Sequence, residues 1–174
     1  MLSETGYIDR SETEDPAKEH KGGFTVMIKN ILVAVDGSTH AKKAVSYAAD
    51  LAMKYDAKVH LLHVISEAKV PEGLDKFIEV ERIKDPPEKV LLKKVGDAII
   101  EAGQEEARQK GLKDVKSSVA LGDPAEKILD YAKDNGVDMI IMGSRGLGGV
   151  KGLFLGSVSS KVCHLADTTC VTVK

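Results

Sequence analysis

Val137-Asp138-Met139-Ile140-Ile141-Met142-Gly143-Ser144-Arg145-Gly146, then nine residues, then Gly156-Ser157-Val158-Ser159-Ser160-Lys161-Val162-Cys163-His164-Leu165, is the stretch on which the fold turns. Its first part is short, apolar and closed by glycine, the pattern of a strand buried on both faces of a parallel sheet. Its last part brings Val158, Val162 and Leu165 to one helical face, with Ser157 as the expected N-cap. Between them lies a loop rich in glycine. Glycine removes the Cβ that would keep backbone N–H groups from a ligand, and a helix N-terminus adds unpaired donors and partial positive charge. Strand, loop and helix together therefore favour an anion. The other reading of the same glycines is a βα connection in which they only permit tight packing. No G-x-x-x-x-G-K-[ST] segment occurs in the 174 residues, so no lysine is built in to grip terminal phosphates, and phosphate chemistry is expected to be slow.

Upstream the chain alternates strands with helices. Met27 to Val35 reads as a strand ended by Asp36-Gly37-Ser38, after which Ser38 or Thr39 can cap a helix carrying Ala41, Ala44, Val45, Ala48, Leu51 and Ala52. Val59 to Ile65 is a second strand. The odd spacing of His60 and His63 puts them on opposite faces, where they cannot easily share a metal. The connection from Ser66 to Pro87 is long for a compact domain; it holds either a short helix within 74–83 or a lid. A long helix follows from about Pro87 to Lys110, with Val90, Leu91, Val95, Ala98, Ile99 and Ala102 apolar and Gly111 closing it. Val115 to Leu121 is a strand. Asp123 caps the helix from Ala125 to Asn135, with Pro124 at its first position and Gly136 at its end. After the glycine loop and its helix, Thr169 to Lys174 forms the last strand.

This order, β-α-β-α-β-α-β-α-β, predicts a five-stranded parallel, doubly wound, Rossmann-like α/β sheet, with helices on both faces and strands ordered 3-2-1-4-5. Such sheets bind ligands at the carboxyl ends of strands where the order reverses, here between strands 1 and 4, which brings Asp36 close to Gly143. Three roles are open to Asp36: accepting hydrogen bonds from ribose hydroxyls, holding water on a phosphate-bound magnesium, or local turn chemistry before the helix. Arg145 and Lys151 are the loop's only cations, available to phosphates or to solvent.

Composition bounds the partners. The 43% hydrophobic content fills a single core, and the 4% aromatic content makes that core aliphatic and offers no base-stacking platform. With 25 basic against 27 acidic residues there is no basic excess for a nucleic-acid backbone or an anionic membrane. No apolar run reaches membrane-spanning length and the N-terminus is acidic and polar, so the cytoplasm is the expected location. Cys163 and Cys170 lack a C-x-x-C spacing and are expected to be buried small hydrophobes. Residues 1 to 25 carry six acidic and three basic residues with hardly any large aliphatics, the composition of a mobile segment.

From Met27 to Lys174 the chain resembles the universal stress protein family. The resemblance rests on Asn30-Ile31-Leu32-Val33-Ala34-Val35-Asp36-Gly37-Ser38, Leu62-His63-Val64-Ile65, Gly122-Asp123-Pro124, and Ile140-Ile141-Met142-Gly143-Ser144-Arg145-Gly146 with Gly156-Ser157-Val158. The family's ATP-binding branch carries G-x2-G-x9-G-[ST], matched by Gly143, Gly146, Gly156 and Ser157. The resemblance implies an adenine nucleotide alpha hydrolase-like fold and an ATP site, with Mg2+ or Mn2+ on the phosphates. Asp36 would then face the ribose–phosphate region, the Val64 backbone would read the adenine edge, and Ala34 and Val35 would line the base pocket. Gly143, Gly146, Gly156, Ser157 and Val158 would bind ribose and phosphates, with Met142, Ser144, Arg145 and Ser159 completing the implied site. It also implies a homodimer through strand 169–174 and a nucleotide acting as a conformational ligand with at most weak hydrolysis. Family members mostly begin near the position of Met27, so residues 1–26 read as an extension, or translation starts at Met27.

Overall fold

In the computed structural model, residues 27–66, 87–148 and 155–174 are described. The expectations for residues 1–26, for a helix or lid between 66 and 87, and for Lys151 lie outside the described residues. Five parallel strands form one sheet in the order β3-β2-β1-β4-β5: β1 Asn30–Ala34, β2 Lys58–Ile65, β3 Val115–Leu121, β4 Met139–Gly143 and β5 Thr169–Val173. Among the described residues, four helices alternate with them: α1 Thr39–Tyr55, α2 Pro87–Gln109, α3 Pro124–Asp134 and α4 Ser157–Leu165. The expected strand order is the observed one.

The centre of the sheet is apolar on both sides. Ile31, Leu32 and Val33 of β1 and Ile140 and Ile141 of β4 are wholly inaccessible, as crossover helices on both faces require. Ile31, Val33 and Ile141 pack with Ala41, Ala44, Val45 and Ala48 of α1, while Leu32, Ile140 and Met142 pack with Ile128 of α3 and Val162 of α4. Each such side chain, fully buried, contributes on the order of 1.5–3 kcal/mol. The first strand begins at Asn30 and not at Met27, because the Asp138 carboxylate takes the Lys29 and Asn30 N–H groups, each at 2.8 Å, out of the ladder.

The buried face of α2 differs from the expected stripe. Leu91 and Val95 are exposed, and the inward positions are Gly96, Ile100, Gly103 and Ala107. A Cβ on Gly96 would sit 3.1 Å from Val119 Cγ1, and one on Gly103 would sit 3.0 Å from Leu61 Cδ1. The helix lies so close to the sheet that glycine marks its contact line, and glycine carries no hydropathy signal. Across the gap between helices, Glu106 of α2 ties to α1 through the Ser46 hydroxyl and through Lys42 Nζ at 3.2 Å.

Two further expectations are corrected. Leu165 is exposed and Ser159 buried, so the inward line of α4 runs through Ser159 and Val162. The same rotation turns Cys163 to solvent, while Cys170 is half-buried and burial pushes its thiol up to about 11. Among the described residues, no helix is long and apolar enough to cross a membrane.

Candidate functional site

At the carboxyl ends of β1, β2 and β4, where the strand order reverses, lies a cavity of about 560 Å³. Its floor is made by Ala34, Val35 and Asp36 from the end of β1, and by Met142 and Gly143 from the end of β4. Arg145 and Gly146 of the glycine loop form one wall, and Gly156, Ser157, Val158 and Ser159 bring in the start of α4. Val64 closes the β2 side. Twelve of the thirteen residues expected at the site therefore share one cavity. The exception is Ser144, which is 1% exposed and absent from the lining; its Oγ has no partner among the described residues.

The backbone of Val64 is aimed at the crevice. Leu62 O accepts from Val35 N at 2.9 Å, so the Leu62 peptide groups face β1. Two residues on, the Val64 N–H and C=O point the same way, where β1 pairing has stopped at Ala34. Among the described residues, an edge of unpaired donor and acceptor thus looks into the cavity.

The two ends of the loop after β4 are tied together by backbone hydrogen bonds. Ser144 N donates to Val173 O and Gly156 N to Ser144 O, both at 2.7 Å, so the start of α4 folds back onto the end of β4. The Ser159 hydroxyl lies 3.2 Å from Ser144 O and 3.0 Å from Gly156 O, which explains its burial. The N-cap of α4 is Gly156 and not the expected Ser157, and it makes no side-chain capping bond. Among the described residues, the first-turn N–H groups of α4 therefore have no side-chain partner, as an anion would require.

The three motif glycines have different reasons. A Cβ on Gly143 would lie 2.8 Å from His40 Cβ and 3.0 Å from both Ala41 N and Arg145 O, so this glycine lets β4 and α1 approach. At Gly146 a Cβ would overlap the Asp36 carboxylate, whose Oδ2 accepts from Leu147 N at 3.0 Å while Oδ1 accepts from Ser38 N at 3.0 Å. At Gly156 a Cβ would meet none of the described residues closer than 3.6 Å. Only the last is a glycine that protein packing does not demand.

Sequence reasoning missed part of the wall. Leu92, Val95 and Ile99 of α2, Ile65 of β2 and Pro124 of α3 make one side apolar. Nothing in the α2 pattern distinguishes a residue facing a cavity from one facing the core. His63, read only as a strand residue, also lines the cavity; its Nδ1 donates to Val35 O at 2.8 Å, since a carbonyl can only accept. His60 is on the other face as expected, 3% exposed, with Nδ1 3.3 Å from the Tyr131 hydroxyl. On the rim, Asp123 caps α3 by accepting from Glu126 N at 2.9 Å and pairs with Lys161 at 3.1 Å; these bonds hold its carboxyl below the usual range. Among the described residues, no group of three or more His, Cys, Asp or Glu is placed to hold a metal ion.

Residues 27–174 match the model of the universal stress protein family. Universal stress protein YxiE of Bacillus subtilis is 38% identical over 149 residues, covering 85% of this chain and the whole of that protein. The solved structure of protein MJ0577, a universal stress protein of Methanocaldococcus jannaschii, superposes with a TM-score of 0.68 at 31% identity, covering 85% of this chain and 96% of that one. The universal stress protein of Archaeoglobus fulgidus in complex with dAMP shares the fold, with a TM-score of 0.57 at 19% identity over 85% of this chain and 99% of that one.

Proposed function

We propose, the chain being a member of the universal stress protein family, that it binds an adenine nucleotide, ATP with Mg2+ on its phosphates, as a regulatory ligand in a stress response. The observation that carries this reading is the juxtaposition, in one 560 Å³ cavity, of a free β2 backbone edge at Val64 with the uncapped first turn of α4. The first can pair with the Watson–Crick edge of a purine. The second takes a phosphate, and Gly156 leaves room for it. Between the two lie Ala34, Val35, Met142 and the apolar wall of α2, which suit the faces of a base and the carbon side of a ribose.

Magnesium would be held by phosphate oxygens and water, with Asp36 as the neighbouring carboxylate; the cation would neutralise phosphate charge. Arg145 would meet the same phosphates, and Ser157, Val158 and Ser159 would offer their N–H groups. Hydrolysis is slow in this reading, since no lysine of the loop is built in as in a phosphate-gripping Walker loop. Assembly as a homodimer through β5, which lies at a sheet edge, completes the proposal. Mass spectrometry of small molecules released on denaturing freshly purified protein tests it. An adenine nucleotide at near-stoichiometric yield supports the reading, while a protein that neither carries nor takes up one is a scaffold of the same fold.

A further inference from the structure

Among the described residues, the Asp36 carboxylate joins the two halves of the crevice by hydrogen bonds to both. It leaves the end of β1, anchors itself on its own turn by accepting from Ser38 N at 3.0 Å, and then reaches across to accept from Leu147 N at 3.0 Å. The second bond spans 111 positions of sequence. The loop is shaped to receive it, because Gly146 leaves vacant the space that the carboxylate fills. A further contact of the same kind, Ser38 Oγ to Arg145 O at 3.5 Å, lies one residue earlier in the loop.

We infer that Asp36 is a positioning residue: it latches the glycine loop against the β1 turn, and it governs nucleotide binding through the Gly146–Leu147 backbone and not by touching ribose or metal. Each of its oxygens already accepts a backbone N–H, and Oδ2 lies against the loop where Gly146 has no side chain. The carboxylate thus sets the position of the loop wall through the protein's own bonds, and Gly146 is required by the latch and not by phosphate. This rests on the adenine-nucleotide reading of the cavity, while the latch bonds themselves are made between protein groups alone.

Asp36→Ala tests it, because the methyl group offers no acceptor to either N–H. In nucleotide-free protein, hydrogen exchange at Leu147 N–H is expected to accelerate by about tenfold or more, while the Ser144 and Gly156 N–H groups, bonded to Val173 O and Ser144 O, keep their rates. Affinity is expected to fall by about tenfold, and by the same factor for ATP, 2′-deoxy-ATP and 3′-deoxy-ATP, with or without Mg2+. Gly146→Ala dislodges the carboxylate from the loop side and should reproduce both effects, with the double variant no weaker than the weaker single one. Unchanged Leu147 exchange would overturn the latch. A loss that vanishes with a deoxy-nucleotide would make Asp36 a ribose ligand, and one confined to Mg2+ a metal-side group; either overturns the inference. Should wild-type protein bind no nucleotide, the functional reading fails, and the exchange measurement still decides the latch.

Discussion

Replacing Gly156 separates a glycine kept for a ligand from one kept for packing. The residue has φ −71 and ψ 161, an extended conformation open to any L-amino acid, so substitution carries no backbone strain. A Cβ there lies 3.6 Å from Arg145 Cα, Ser144 O and Ser159 Oγ, which is ordinary contact. Exchanging glycine for alanine at an N-cap costs up to about 1 kcal/mol, and stiffening the unfolded chain returns about 0.4–1 kcal/mol. Gly156→Ala should therefore stay within about 1 kcal/mol of wild type, or roughly 2–4 °C in Tm for a chain of this size. Valine adds two methyl groups against the same three atoms and costs about 1–3 kcal/mol.

The ligand complex is another matter. The side chain enters the space where a phosphate would meet the α4 N–H groups, and two hydrogen bonds to charged oxygen at about 1.5–3 kcal/mol each would be lost. For Gly156→Val that is about 3–6 kcal/mol, a weakening of more than about a hundredfold in Kd. Calorimetric titration with ATP beside thermal denaturation reads both quantities. Gly143→Ala is the opposite case: its Cβ meets backbone at 3.0 Å on two sides, which cannot give, so stability falls by about 1–3 kcal/mol whether or not ligand is present. An unchanged ATP affinity in Gly156→Val would refute the placement of phosphate at α4.

Acid should destabilise the protein through His60. Burial first, then the charges of Lys116 and Lys58, lower its folded pKa below the ordinary 6.5, so the unfolded chain binds the proton more tightly. Its contribution is fully present above about pH 6.5 and is lost as pH falls through the folded pKa. His60→Gln should show a smaller drop in urea midpoint from pH 7.5 to 5 than wild type, and equal drops would remove His60 as the cause. Dimerisation through β5 is tested at Thr172. Val173 O faces β4, since it accepts from Ser144 N, so alternation turns the Thr172 N–H to the open edge. Thr172→Pro should yield monomers by light scattering with little loss of Tm, and a persisting dimer would place the interface elsewhere.

The strand order and the crevice were legible because they follow from runs such as Ile31-Leu32-Val33 and Ile140-Ile141-Met142, whose apolar continuity needs helices on both faces. Helix faces were legible only where the contact residues were themselves apolar. Along α1 the alanines mark the buried line, but along α2 the line is Gly96, Ile100, Gly103 and Ala107, and the visible hydrophobes Leu91 and Val95 point elsewhere. A close helix–sheet approach selects against side chains, so the tighter the packing, the fainter its trace in hydropathy. Cys163 and Leu165 were misplaced for a related reason: Ser159 is drawn inward by hydrogen bonds to Ser144 O and Gly156 O, and that rotates α4.

The same limit applies to the motif. Gly143, Gly146 and Gly156 are one letter in sequence, and spacing alone treats them as one phosphate cradle. In the structure the missing Cβ of Gly143 belongs to α1, that of Gly146 to the Asp36 carboxylate, and that of Gly156 to a helix N-terminus where a side chain would make only ordinary contacts with the described residues. A spacing rule records where side chains are excluded without saying what excludes them. Two of these exclusions are made by the protein itself, which means that a chain can keep G-x2-G for folding whatever its ligand. It follows that Gly156, where an added Cβ would meet no described residue closer than 3.6 Å, is the position of the three at which nucleotide affinity and stability should part company.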